Sequence, residues 1–104
     1  MKWNMYAVFD VASGVYDRPF PAPSDGVALR GFGDICMNAD HPVGQHPEDY
    51  SLYRIGIYDD NRGTLVPEDR ECLITGLESV AASRKVKPGS LEDFAEKVEL
   101  KEVN

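Results

Sequence analysis

No apolar run in this chain approaches the ~18 consecutive residues that a membrane-spanning helix needs, so the sequence predicts no contact with a membrane. Cysteine is scarce too. Cys36 and Cys72 are the two in 104 residues, far apart and in no metal-ligating spacing. The opening MKWNMYAVFDV is too polar for a secretory leader, so both thiols are expected reduced, in a cytosolic setting. Basic residues are few: 11 Lys and Arg stand against 18 Asp and Glu, a net charge of −7. Nucleic-acid-binding domains ordinarily carry a basic excess, so contact with a polyanion would need a local patch. There is no G-x-S-x-G, and Gly31, Gly33 and Gly44 are followed by no G-K-[ST]. That removes the usual serine nucleophile and phosphate loop. The chain is expected to be non-enzymatic, with no cofactor and no metal.

What is present is a small α+β pattern, within the size of one domain. Residues 3–11, WNMYAVFDV, are rich in aromatic and β-branched types and read as a central strand. VYDRPF is a short extended return, and Pro19, Pro21 and Pro23 then hold the chain extended without regular pairing. Ser24 is a good N-cap and Asp25 suits the first turn, so residues 25–38 are predicted helical. SLYRIGIYDD is the clearest strand, with Leu52, Arg54, Gly56 and Tyr58 on one face and Tyr53, Ile55 and Ile57 on the core face with Val8, Phe32 and Ile35. Asp59 to Gly63 makes a turn, TLV returns, and Pro67 with the charged PEDRE ends that strand. CLITGL fits either a further short strand or the start of a helix.

The expected fold is therefore a small antiparallel sheet of three to four strands packed against one main helix, with a short C-terminal helix or tail. Residues 1–80 form the single α+β domain. Residues 81–104 are a linker, 81–90, and an acidic helix or tail in which Leu91, Phe94, Ala95 and Val98 share a face. Three lysines against five acids make residues 87–104 −2, so the other 86 residues carry −5.

The acids around the main strand suggest a site at first sight. Glu48 and Asp49 precede it and Asp59 and Asp60 follow it. Eight to ten strand residues hold the two pairs roughly 25–30 Å apart, so they share no ion or bond. His41 and His46, with Asp40, Glu48 and Asp49, are the best metal candidates, but H-x4-H in a loop fixes no common face. His-Pro turns and capping account for them. Cys36, on the predicted helix, is expected to be an inert buried thiol.

Aromatics are numerous: Trp3, Tyr6, Phe9, Tyr16, Phe20, Tyr50, Tyr53 and Tyr58, most of them expected in the core. Single-stranded nucleic acid is held by bases stacked on such rings in a basic groove. Arg54 and Tyr58, on one predicted face, with Arg62, Arg30 and Arg18, are the candidate DNA-binding residues.

Two blocks carry a resemblance. The S-D-G-x-A-x-R-x-F core at Ser24, Asp25, Gly26, Ala28, Arg30 and Phe32, and the block HPEDYSLYRIGIYDD, stand in the order seen in small nonstructural proteins of gokushoviruses, the single-stranded DNA phages of the Microviridae. The chain resembles that family over roughly residues 1–77. The resemblance implies an accessory of viral genome replication, acting at the switch to single-strand synthesis and packaging in the host cytoplasm. It implies contact with single-stranded DNA, with viral or host replication proteins, or both. A homodimer or higher homo-oligomer is expected. A protein-interaction module that never touches DNA is the alternative.

Overall fold

Aromatic and β-branched residues favour extended backbone, and Lys2–Asp10 forms the strand β1 through the middle of the sheet. The computed structural model describes residues 1–85. After β1 come β2 (Val15–Tyr16), β3 (Phe20–Ala22), α1 (Asp25–Cys36), α2 (Pro42–Gln45), a 3-10 turn (Pro47–Asp49), β4 (Tyr50–Asp59), β5 (Thr64–Thr75) and α3 (Gly76–Lys85). The sheet runs β2-β1-β4-β5, with β3 also on β1, and every pairing is antiparallel. The α+β class and the single main helix are as expected. The sheet has five strands because VY and FPA both pair with β1. Pro21 was expected to forbid pairing. It is tolerated because β3 lies at an edge, where a missing N–H costs no ladder bond.

Ser24 caps α1 as its sequence suggests, its Oγ accepting from the Val27 N–H at 3.3 Å. Ala28, Phe32 and Cys36 are the buried residues of α1. They meet Tyr6 and Leu52 from the sheet, Ala22 from β3 and Val43 from α2, while Val8, Ile35, Ile74 and Val80 pack around them. Tyr6 and Leu52 are the largest fully buried side chains. Burial, and then the hydrogen bond its hydroxyl donates to Asp25, push the Tyr6 phenol up to about 12.

The predicted core face of β4 is overturned. Tyr6 pairs with Arg54 but Met5 pairs with Gly56, so Ile55 is an extra residue in β4, a β-bulge. A single unpaired residue reverses which face the following side chains take. Leu52, Arg54 and Ile57 therefore lie on the helix side, cross-strand from Val8, Tyr6 and Asn4. Tyr53, Gly56 and Tyr58 lie on the other face, cross-strand from Ala7, Met5 and Trp3. Of the three predicted core residues of this strand only Ile57 is on the helix side, and the deeply buried one is Leu52. Gly56 sits at the irregularity because β5 crowds it: an added Cβ would lie 2.6 Å from the Val66 carbonyl oxygen.

Pro67 does not end β5, which runs on through PEDRE to Thr75. As an edge strand, β5 has one side free of partners among the described residues, which gives a proline a place. The undecided CLITGL resolves both ways. It is strand to Thr75 and helix from Gly76, and the change is made by a capping box. The Thr75 Oγ1 accepts from the Glu78 N–H at 3.1 Å, and the Glu78 carboxylate accepts from the Thr75 N–H at 3.0 Å. The helix α3 takes in residues 81–85, the first half of the stretch predicted as linker. The predicted helix from Leu91 lies outside the described residues.

Candidate functional site

All the described helices contribute to one cluster on one side of the sheet, and none of them covers the opposite face. That open face carries rings. Phe9 stands 4.7 Å from Tyr16, Tyr16 is 5.4 Å from Tyr53, and Phe9 is 6.3 Å from Tyr53, between ring centroids. The two contacts of Tyr53 are edge-on at 79°, an arrangement favoured by the ring quadrupole. The cluster follows from strand register, because Phe9 pairs with Tyr16 and Tyr53 pairs with Ala7, two residues before Phe9. Tyr16 is 38% exposed, while Phe9 and Tyr53 are half-buried beside it. Desolvation is the main force raising the Tyr53 phenol, and the nearby charge of Arg70 pulls the other way. Tyr53 therefore remains neutral near pH 7 beside a cation. Trp3 and Tyr58 continue the same face toward the β4–β5 turn.

The predicted DNA-binding residues are not brought together. Arg54 and Tyr58 stand on opposite faces because of the bulge at Ile55. The Arg54 guanidinium is engaged on the helix side. It bonds the carboxylates of Asp25 and, at 2.7 Å, Glu71, with Glu68 at 3.8 Å. Asp25 is also bonded by the Tyr6 hydroxyl at 2.6 Å. One cation among three acids ties α1 to β4 and β5, and the carboxylates around it would repel a phosphate. Gly56 offers no low platform, since the β5 backbone fills the space above it. Arg62 is exposed in the β4–β5 turn, Arg30 is exposed on α1, and Arg18 is exposed just after β2.

Arg70 and the Phe9–Tyr16–Tyr53 cluster were missed. The face of β4 with Tyr53, Ile55 and Ile57 was read as the core side, and Arg70 lay in a stretch read as a strand terminator. Arg70 is two residues before Cys72, the cross-strand partner of Tyr53. That signal is readable only once β5 is known to continue.

The acids and histidines fall into two separate uses. His41 Nδ1 accepts from the Val43 N–H at 3.1 Å and caps α2. His46, Glu48 and Asp49 lie together, their donor atoms within 4.8 Å of one another. His46 and Glu48 are exposed, so water competes for both. At the far end of β4, Asp59 accepts from the Asn61 N–H at 3.0 Å and Asp60 accepts from the Trp3 indole N–H at 3.0 Å. The two acid pairs cap opposite ends of one strand, as their spacing requires.

Among the described residues, helices on one side of an antiparallel sheet and a ring cluster on the other define a small α+β protein with one sheet face that no described helix covers. The chain belongs to the family described as Phage ORF5 protein, whose profile matches residues 3–80. It is similar to the Protein ORF5 of Chlamydia phage 1, with 29% identity over 73 residues that cover 66% of this chain and 76% of that one. The resemblance to the small nonstructural proteins of gokushoviruses is borne out by both. No solved structure matches the chain. Among the described residues, no helix is long and apolar enough to cross a membrane.

Proposed function

We propose that this protein is a non-enzymatic accessory of phage genome replication that binds single-stranded DNA on the open sheet face, in the host cytoplasm. The observation that supports the reading is the partly exposed Phe9–Tyr16–Tyr53 cluster with Arg70 beside it. Every base has a π-face, so such rings hold a single strand without reading its sequence, at ~1–3 kcal/mol per stacked base. A duplex keeps its bases inside the stack and gains nothing from the rings. The charge of −7 limits the phosphate contacts to a few arginines. Affinity is therefore modest and comes mainly from stacking.

Fluorescence anisotropy with a labelled oligothymidylate tests this. Tyr53→Ala should weaken binding about 5- to 150-fold, the equivalent of ~1–3 kcal/mol. Arg70→Ala should also weaken it. Arg30→Ala, on the helix side, should leave it unchanged. Unchanged binding by Tyr53→Ala would remove the platform from the account.

One observation favours the second reading, docking to a basic replication protein. The carboxylates of Asp25, Glu68 and Glu71 outnumber their single cation, and Glu71 is exposed. A parent protein that binds no oligonucleotide at low salt would move the function there.

A further inference from the structure

Beyond the rings, the open face ends in an apolar pocket. Met5, Pro19, Ile55, Gly56, Leu65 and Pro67 line a cavity of about 150 Å³ with no titratable side chain among them. A cavity of about this size with aliphatic walls admits a benzene molecule, so one large aliphatic side chain fits. On its rim stands Leu65, 63% exposed in the edge strand β5. Leu65 pairs with Tyr58, and Tyr58 with Trp3, so the surroundings are apolar as well.

We infer that a second copy of this chain docks here, each Leu65 entering the other copy's cavity around a two-fold axis. The patch itself names its occupant. It carries a projecting aliphatic side chain and, beside it, a hole of the size to receive one. A surface with both is self-complementary, which is what an isologous dimer needs. Charge supports the same choice. Two copies of a −7 chain repel over most of their surface, and this patch lets them meet without opposing acids. The nearest acids in the turn, Asp59 and Asp60, are already bonded to the Asn61 backbone and the Trp3 indole.

The Phe9–Tyr16–Tyr53 cluster lies at the other end of β1 and β4. The dimer therefore presents two ring clusters outward. If the DNA reading holds, one strand spanning both gains avidity with no new contact. The dimer itself does not depend on that reading.

Sedimentation velocity of the full chain, without DNA, is the test. The parent protein should dimerise in the micromolar range. Leu65→Asp should raise the dissociation constant by ~100-fold or more, because it puts an unpaired charge into an apolar contact. Leu65 is exposed, so the variant should keep the far-UV spectrum and melting temperature of the isolated monomer. Val66→Asp, on the opposite face and 53% exposed, should leave the dimer intact. A parent protein that stays monomeric to near-millimolar concentration overturns the inference. So does a dimer insensitive to Leu65→Asp. Loss of the dimer in both variants would place the contact along the β5 edge instead and overturns it too. A dimer that binds no oligonucleotide defeats only the DNA reading, and a monomer that binds one defeats only the dimer.

Discussion

Leu52→Ala is expected to lower the unfolding free energy by about 2–5 kcal/mol. Leu52 is fully buried, cross-strand from Val8 and within the cluster that Phe32 and Cys36 bring down from α1. Its truncation removes apolar contacts and leaves a cavity that a rigid sheet cannot close. The described core has few large members, so no neighbouring bulk is available to refill it. Ile55→Ala is the paired measurement. Ile55 is the bulged residue, half-buried on the open face, and should cost only about 1 kcal/mol. Urea unfolding of both variants decides the matter. Equal losses, or a larger loss for Ile55, would put the core on the Tyr53–Ile55 face of β4 and contradict the helix-side packing of Leu52.

Gly76→Ala should also destabilise, against its helix propensity. In an open helix position alanine is better than glycine by up to ~1 kcal/mol. Gly76, however, begins α3 where that helix meets the turn Pro47–Asp49, and an added Cβ would lie 1.9 Å from the Pro47 carbonyl oxygen. The obstacle is backbone, so α3 or the turn must move. Overpacking of this kind costs about 1–3 kcal/mol. For a domain of this size each kcal/mol lowers the melting temperature by about 4–8 °C. Gly31→Ala is the control, since nothing lies within 4 Å of its added Cβ. It should melt at or above the parent temperature. If Gly76→Ala does the same, the close seat of α3 on the turn is wrong.

The parts legible in the sequence were those set by local chemistry. Ser24 and Asp25 announced α1, aromatic and β-branched runs announced β1 and β4, and Asp59 to Gly63 announced the turn. What was not legible depends on neighbours far along the chain. Alternation along β4 assumes an unbroken pleat, and the bulge at Ile55 breaks it where β5 crowds Gly56. Pro67 reads as a strand terminator until β5 is known to be an edge. Thr75-x-x-Glu78 was a readable signal, since the capping-box spacing is local. Of the candidate site, Tyr58 and the idea of rings with an arginine came from sequence. The pairing of Arg54 with Asp25 and Glu71, which withdraws it, and the convergence of Phe9, Tyr16 and Tyr53 needed the register.

The most direct test of single-strand binding is a titration of the parent protein against a labelled oligothymidylate and a duplex of the same length, from low to moderate salt. Stacking-led binding predicts clear preference for the single strand. It also predicts a shallow salt dependence, with log K falling by about 0.7 per tenfold rise in salt for each phosphate engaged, for one to three phosphates. Equal affinity for duplex with a slope several times steeper would mean a charge-led contact elsewhere on the molecule. No binding to either at low salt would contradict the account outright.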